Sequence, residues 1–225
     1  MRETWLRALS GWPRTPAEAR RLQERLRHEL CPEGGPDRLL RVAGVDVHYE
    51  RRLNRTWAAA VLLDWSNLAL EESALAWRPT EFPYVPGLLS FRETPAALEA
   101  LACLGERPDL LFVDGHGYAH PRRFGIASHI GLITGIPTIG VAKSRLIGAH
   151  EMPGPQPGDR ASLLENGERL GVVLRSRAGV RPIYVSVGHR ISLERAVELV
   201  LAACRGYRLP EPTRIADRLS RAHDP

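Results

Sequence analysis

The chain has 225 residues, 44% of them hydrophobic and 25% charged, a usage typical of folded globular proteins that excludes disordered and fibrous architectures. No apolar stretch reaches the ~18 residues of a membrane-spanning helix, and Met1-Arg2-Glu3-Thr4-Trp5 lacks the apolar core of a secretory signal. A formal charge of +5 is compatible with a polyanionic partner without requiring one. In chain order, Thr15-Pro16-Ala17-Glu18 is a capping box with proline at the first helical position. Leu22, Leu26 and Leu30 recur every four residues behind it, so an amphipathic helix is expected over 15–30. The Cys31-Pro32-Glu33-Gly34-Gly35-Pro36 stretch stops it. Residues 39–49 read as a strand, with 57–63 and 68–77 as two more, joined by Asp64-Trp65-Ser66-Asn67 into an antiparallel meander. After a loop from Pro79 to Pro86, Thr94-Pro95 is expected to cap a helix running to about Gly105. Leu110-Leu111-Phe112-Val113 and Thr138-Ile139-Gly140-Val141-Ala142 are apolar runs of the length of central strands, with a helix near 123–134 between them. Residues 152–158 form a surface loop, and 171–174 and 183–187 are late strands. Ser192 caps a helix to about Cys204, and Pro212 opens a last one. A meander followed by alternating helix and strand implies one α/β domain, 1–225, built on a mixed sheet.

Four acidic residues sit where acid is unusual. Asp46 lies in mid-strand between valines, on the face of Val42, Gly44 and His48, where a carboxylate is costly unless it is paired, binds a cation, or faces water from an edge strand. Asp114 ends an apolar strand before Gly115-His116-Gly117; strand carboxyl ends gather ligand groups, although Asp before Gly is also a common turn. Glu93 precedes the expected helix start, where the dipole favours a carboxylate. Asp217, beside Ile215, Ala216 and Leu219 in the last helix, reads in isolation as part of a solvated face. Together the four make an oxygen-rich set suited to Mg2+ or Mn2+, although spacing alone does not bring them together. All but one of the 31 basic residues are arginine, and the exception, Lys143, marks either a coding bias or a place that needs a compact ammonium. Cys31, Cys103 and Cys204 are too few and too scattered for a disulfide framework or a zinc site, so a cytoplasmic protein with reduced thiols is expected. Zinc-protease, zinc-finger, P-loop and dinucleotide-binding signatures are lacking.

Longer motifs then occur in a fixed order: Val42-Ala43-Gly44-Val45-Asp46, Pro83-Tyr84-Val85-Pro86-Gly87-Leu88-Leu89-Ser90-Phe91-Arg92-Glu93, Asp114-Gly115-His116-Gly117, His120-Pro121-Arg122, Gly140-Val141-Ala142-Lys143-Ser144 and Arg208-Leu209-Pro210-Glu211-Pro212-Thr213-Arg214. Through them, over about residues 15 to 221, the chain resembles endonuclease V, the deoxyinosine 3′ endonuclease. The resemblance implies an RNase H-like fold, a mixed central β-sheet flanked by α-helices. It also implies a Mg2+-dependent nuclease, with Mn2+ able to substitute, that nicks DNA at the second phosphodiester 3′ to deoxyinosine. By position in the motifs, Asp46, Glu93 and Asp114 correspond to metal-binding carboxylates, and Asp217 falls at the variable fourth position. His120 and Lys143 match supporting active-site residues, with a hydrogen-bonded core histidine as the other reading of His120.

The Pro83-Tyr84-Val85-Pro86 strip resembles the family's strand-separating wedge, with Val85 in place of the more usual Ile. Tyr84, its backbone restricted by prolines on both sides of the strip, can fill the gap left by a displaced base, or else pack as a core tyrosine. The family pattern lines a hypoxanthine pocket with Gly87, Leu89, Gly115, Ile126 and Leu146. Arg122, Arg123 and Arg145 are placed to contact phosphates, with a solvated arginine as the other reading of each. The implied partner is inosine-containing DNA, met by a monomer. Two alternatives stay open: an endoribonuclease acting on inosine in single-stranded RNA, and a binding module without catalysis.

Overall fold

The computed structural model describes residues 2–222; Met1 and residues 223–225, which the expected domain includes, lie outside the described residues. The meander forms as expected from Arg41–Glu50 (β1), Arg55–Asp64 (β2) and Leu70–Pro79 (β3), paired antiparallel. The apolar runs become Leu110–Asp114 (β4) and Thr138–Ala142 (β5), which extend the sheet parallel to β1. Arg160–Glu165 (β6), Glu168–Leu174 (β7) and Ile183–His189 (β8) complete an eight-stranded sheet in the order β3-β2-β1-β4-β5-β8-β7-β6. With β5 and β8 antiparallel, the sheet is mixed. The β6 strand has no signature in the sequence because it lies at the sheet edge and only Leu163 along it is buried, so no hydrophobic alternation marks it.

Helices cover both faces. Arg2–Arg7 (α1), Leu89–Ala102 (α3) and Ile126–Thr134 (α4) pack on Ala43, Val45, Leu111 and Val113. Leu193–Ala202 (α5), capped by Ser192 as expected, and Glu211–Arg221 (α6) cover the opposite face, formed by Val42, Leu110, Phe112, Ile139 and Val141. Period-two alternation along β1 and β4 therefore sends neighbouring residues into two separate cores. Pro16–Leu26 (α2) keeps the expected Thr15–Glu18 capping box and packs against Leu88 and Phe91 at the start of α3. Among the described residues, no helix is long and apolar enough to cross a membrane. One approach is unusually close: a Cβ built on Gly44 would lie 2.0 Å from the Pro212 carbonyl oxygen, so α6 sits directly on the β1 backbone.

The start of α3 differs from expectation. Thr94-Pro95 does not cap it; the helix begins at Leu89 and Pro95 lies inside it. An interior proline has no N–H for the carbonyl four residues earlier, that of Phe91. Here the Trp12 indole Nε1 donates to that carbonyl oxygen at 2.8 Å, a contact spanning 79 residues that no local pattern foretells. Glu93 consequently stands in the second turn of α3 rather than ahead of the helix.

Candidate active site

The parallel strands β1, β4 and β5 each deliver one charged group to the same face. Val45 pairs with Val113, so Asp46 and Asp114, one residue further along, stand side by side. The alternation of β5, carried one residue past Ala142, directs Lys143 to that face as well. Helix α6, seated on Gly44, supplies Asp217 and Ser220 from above. One carboxylate oxygen from each of Asp46, Asp114 and Asp217 lies within 4.8 Å of the others. The Ser220 hydroxyl donates to Asp46. Lys143 bridges two of the acids: its Nζ pairs with Asp114 and lies 2.5 Å from Asp217 Oδ1, which also accepts from Arg221 Nε at 3.2 Å. Arg208 pins the loop behind this ammonium, donating to the carbonyls of Lys143 and, at 3.0 Å, Pro182.

The electrostatics of the cluster are those of excess negative charge. Burial, reinforced by the Asp114 charge, pushes Asp46 up to about 7, against the pull of Ser220 and Lys143. Burial and the charges of Asp46 and Asp114 raise Glu93 to about 8, with Arg92 opposing. Burial disfavours the Lys143 ammonium, yet Asp114, Asp217 and Asp46 outweigh it and hold its pKa above the ordinary lysine value. Burial likewise opposes ionisation of Asp217, and its bonds to Lys143 and Arg221 win, so it stays lowered. The donor set is all carboxylate oxygen, partly uncompensated and converging on one point, which fits a hard divalent cation.

A cavity of about 190 Å³ adjoins the cluster. All five residues expected to line a base pocket, Gly87, Leu89, Gly115, Ile126 and Leu146, line it. Tyr84, Val85 and Pro86 form its mouth, and Tyr84 is 68% exposed, which removes the reading of it as a core tyrosine. Pro83 is exposed beside them. Glu93 and Asp114 both line the cavity; Asp114 belongs to the acidic cluster, whereas Glu93 stands outside its three converging carboxylates and feels the charges of Asp46 and Asp114, so the two sites share a boundary at Asp114. At Gly115 the backbone has φ +151° and an added Cβ would come within 2.5 Å of Ile126, so a side chain there would collide with the pocket wall.

His120 and Arg122 are turned to the protein. The His120 Nδ1 accepts from the Arg122 backbone N–H at 3.2 Å, so Nε2 carries the proton and donates to the Gly87 carbonyl at 2.9 Å. Burial and the Arg122 charge push this imidazole down to about 3, leaving it neutral. Arg122 donates to the same carbonyl at 2.6 Å and to Gln23 Oε1 at 2.6 Å. Arg123 is engaged by Glu165 at 2.8 Å and Glu168 at 2.7 Å, while Arg145 is exposed.

Against this geometry, the family model for endonuclease V matches residues 21–218. The chain belongs to the endonuclease V family. It is therefore a nuclease, a hydrolase of phosphodiester bonds, in a metal-dependent family. It is 53% identical over 209 residues to endonuclease V of Azotobacter vinelandii, covering 93% of this chain and 95% of that protein. The crystal structure of endonuclease V from Streptomyces avermitilis superposes with a TM-score of 0.90 at 47% identity, covering 95% of this chain and 94% of that one. Ciona intestinalis endonuclease V, solved with a 23mer DNA containing an inosine followed by a ribo-adenosine, matches with a TM-score of 0.80 at 27% identity, over 92% and 95% of the two chains.

Around the acidic cluster and the cavity, Ser220, Arg208, Gln23, Ser90 and His116 escaped the sequence reading as site residues. Gln23 is fully buried and bonds the carbonyls of Gly87 and Phe124 at 3.2 and 2.9 Å, which a leucine stripe on an amphipathic helix does not announce. Ser220 carried a weak signal, since it falls three residues after Asp217 on one helix face. Ser90 and His116 line the cavity from within recognised motifs, where only the fold shows which way each residue points.

Proposed function

We propose that this chain hydrolyses the second phosphodiester 3′ to deoxyinosine in DNA, using Mg2+ with Mn2+ as a substitute. The observation that carries this is the shared wall of the cavity and the acidic cluster: a base held in the cavity keeps its own strand next to Asp114 and Glu93. The inosine-containing DNA held by the Ciona intestinalis relative supports the same reading.

In this reading Asp46, Glu93, Asp114 and Asp217 hold the metal. When bound, the ion lowers the pKa of its water and neutralises charge on the phosphate. Lys143, ion-paired at the cluster edge, contacts the scissile phosphate or steadies the attacking water. His120, neutral and hydrogen-bonded through both ring nitrogens, acts by holding Gly87 in place and transfers no proton. Hypoxanthine, turned out of the stack, sits among Gly87, Leu89, Gly115, Ile126 and Leu146, and exposed Tyr84 fills the gap within the Pro83–Pro86 wedge. Arg122 serves the site through Gly87, and of the three arginines expected at phosphates Arg145 is the exposed one and meets a phosphate. The enzyme acts as a cytoplasmic monomer.

The deciding experiment is cleavage of matched duplex DNA, single-stranded DNA and single-stranded RNA, each with one inosine, in Mg2+ or EDTA. A Mg2+-dependent nick one nucleotide 3′ of inosine, strongest on DNA, is expected. Stronger cutting of RNA would replace the DNA substrate with inosine-RNA, and binding without cutting would remove the catalytic roles.

A further inference from the structure

Helix α3 carries three cavity residues in its first two turns, Leu89, Ser90 and Glu93, all ahead of Pro95. Local signals place the helix start at Thr94-Pro95, so those turns need support from elsewhere. Their weak point is the Phe91 carbonyl, deprived of its helical donor by Pro95 and attached to a residue only 1% exposed. Trp12 supplies the missing donor at 2.8 Å. Its ring also stacks on His129 of α4, with centroids 4.9 Å apart and planes 13° from parallel, and lies tilted against Phe91 at 5.6 Å. His129 Nδ1 stands 3.4 Å from Ser90 Oγ. One side chain thus ties α3 to α4, whose Ile126 forms another part of the cavity wall.

We propose that Trp12, which precedes the family-matched residues 21–218, is a positioning residue that holds the first turns of α3, and with them Glu93 and the cavity wall, in working geometry. For its effect on cleavage this rests on the function proposed above. The effect on metal binding does not, because Mn2+ affinity can be read without nucleic acid.

The test uses Trp12→Phe, which keeps a ring for the stack and removes the N–H, together with Pro95→Ala, which returns a backbone N–H to the Phe91 carbonyl. Trp12→Phe is expected to lower kcat on inosine-DNA about tenfold with KM for DNA unchanged, and to weaken Mn2+ binding to the DNA-free protein, measured by calorimetry, by a similar factor. Adding Pro95→Ala to Trp12→Phe is expected to restore both, and Pro95→Ala alone to behave as the unaltered protein. Loss in neither quantity, or a loss that Pro95→Ala leaves standing, would overturn the proposal and reduce Trp12 to ordinary packing. If the unaltered protein cuts no inosine substrate, the proposed function falls, and the Mn2+ titrations still decide the role of Trp12.

Discussion

Asp46 is 6% exposed, flanked by valines and adjacent to a second carboxylate, so in the absence of a cation it works against folding. Replacing it by Asn keeps the shape and the Ser220 contact while removing the charge. Asp46→Asn is expected to lower Mg2+-dependent cleavage by more than about 100-fold, the upper end of what loss of a supporting group costs. Binding of inosine-DNA should persist, and the melting temperature in EDTA should rise. Cleavage at the rate of the unaltered protein would remove Asp46 from the metal site. A fall in melting temperature would show that the charge is compensated in the folded state. His120 illustrates the opposite case, in which a residue inside a motif has both ring nitrogens hydrogen-bonded to the backbone.

The contact between α6 and β1 decides whether the acids converge. Gly44 is the point of closest approach, and the atom an added Cβ would strike is backbone, so no rotamer change relieves it. Gly44→Ala must therefore move α6, carrying Asp217 and Ser220 away from Asp46. A destabilisation of about 1–3 kcal/mol is expected. Loss of Mn2+ affinity should accompany it and exceed that of an equally destabilising substitution in the β6–β7 hairpin. Thermal melts and Mn2+ titration check both, and equal affinities would mean that α6 does not set the site. Helix α3 also meets a partner far along the chain, since its interior Pro95 leaves the Phe91 carbonyl to accept from Trp12.

Across the whole molecule, the raised carboxylates make stability depend on pH. Asp46 near 7 and Glu93 near 8 remain protonated in the metal-free folded state after their unfolded counterparts ionise at about 4. The folded state thus binds more protons across that window. The stability these groups provide is present below about pH 4 and is lost as pH rises through 7 and 8. A cation that binds the ionised acids acts in the opposite sense. The rise in melting temperature on adding Mg2+ is therefore expected to be larger near pH 8.5 than near pH 6, and cleavage should increase over the same interval. A Mg2+ effect independent of pH would contradict the assignment of these two acids to the metal.

Much of this was legible in the chain itself. Apolar runs and alternation marked β1, β4 and β5; the cost of a carboxylate between valines singled out Asp46, and its place at a strand's carboxyl end before glycines singled out Asp114, and both signals depend only on near neighbours, which a linear sequence displays. The family pattern implied by the resemblance points to Gly87, Leu89, Gly115, Ile126 and Leu146, which line the cavity. Tertiary structure alone decided the rest. Asp217 reads as part of a solvated face from its helix alone, and only the resemblance puts it in the metal set; it joins the cluster because α6 settles on a glycine 173 positions earlier. Arg122 and Arg123 turned to the protein because Gln23, Gly87, Glu165 and Glu168 converge on them from other elements. The start of α3 lies at Leu89 rather than at Thr94-Pro95, and the carbonyl that Pro95 leaves without a donor accepts from an indole N–H 79 residues away. Periodicity reports which face of an element is buried, whereas a hydrogen bond or ion pair between distant segments depends on how those faces are finally brought together.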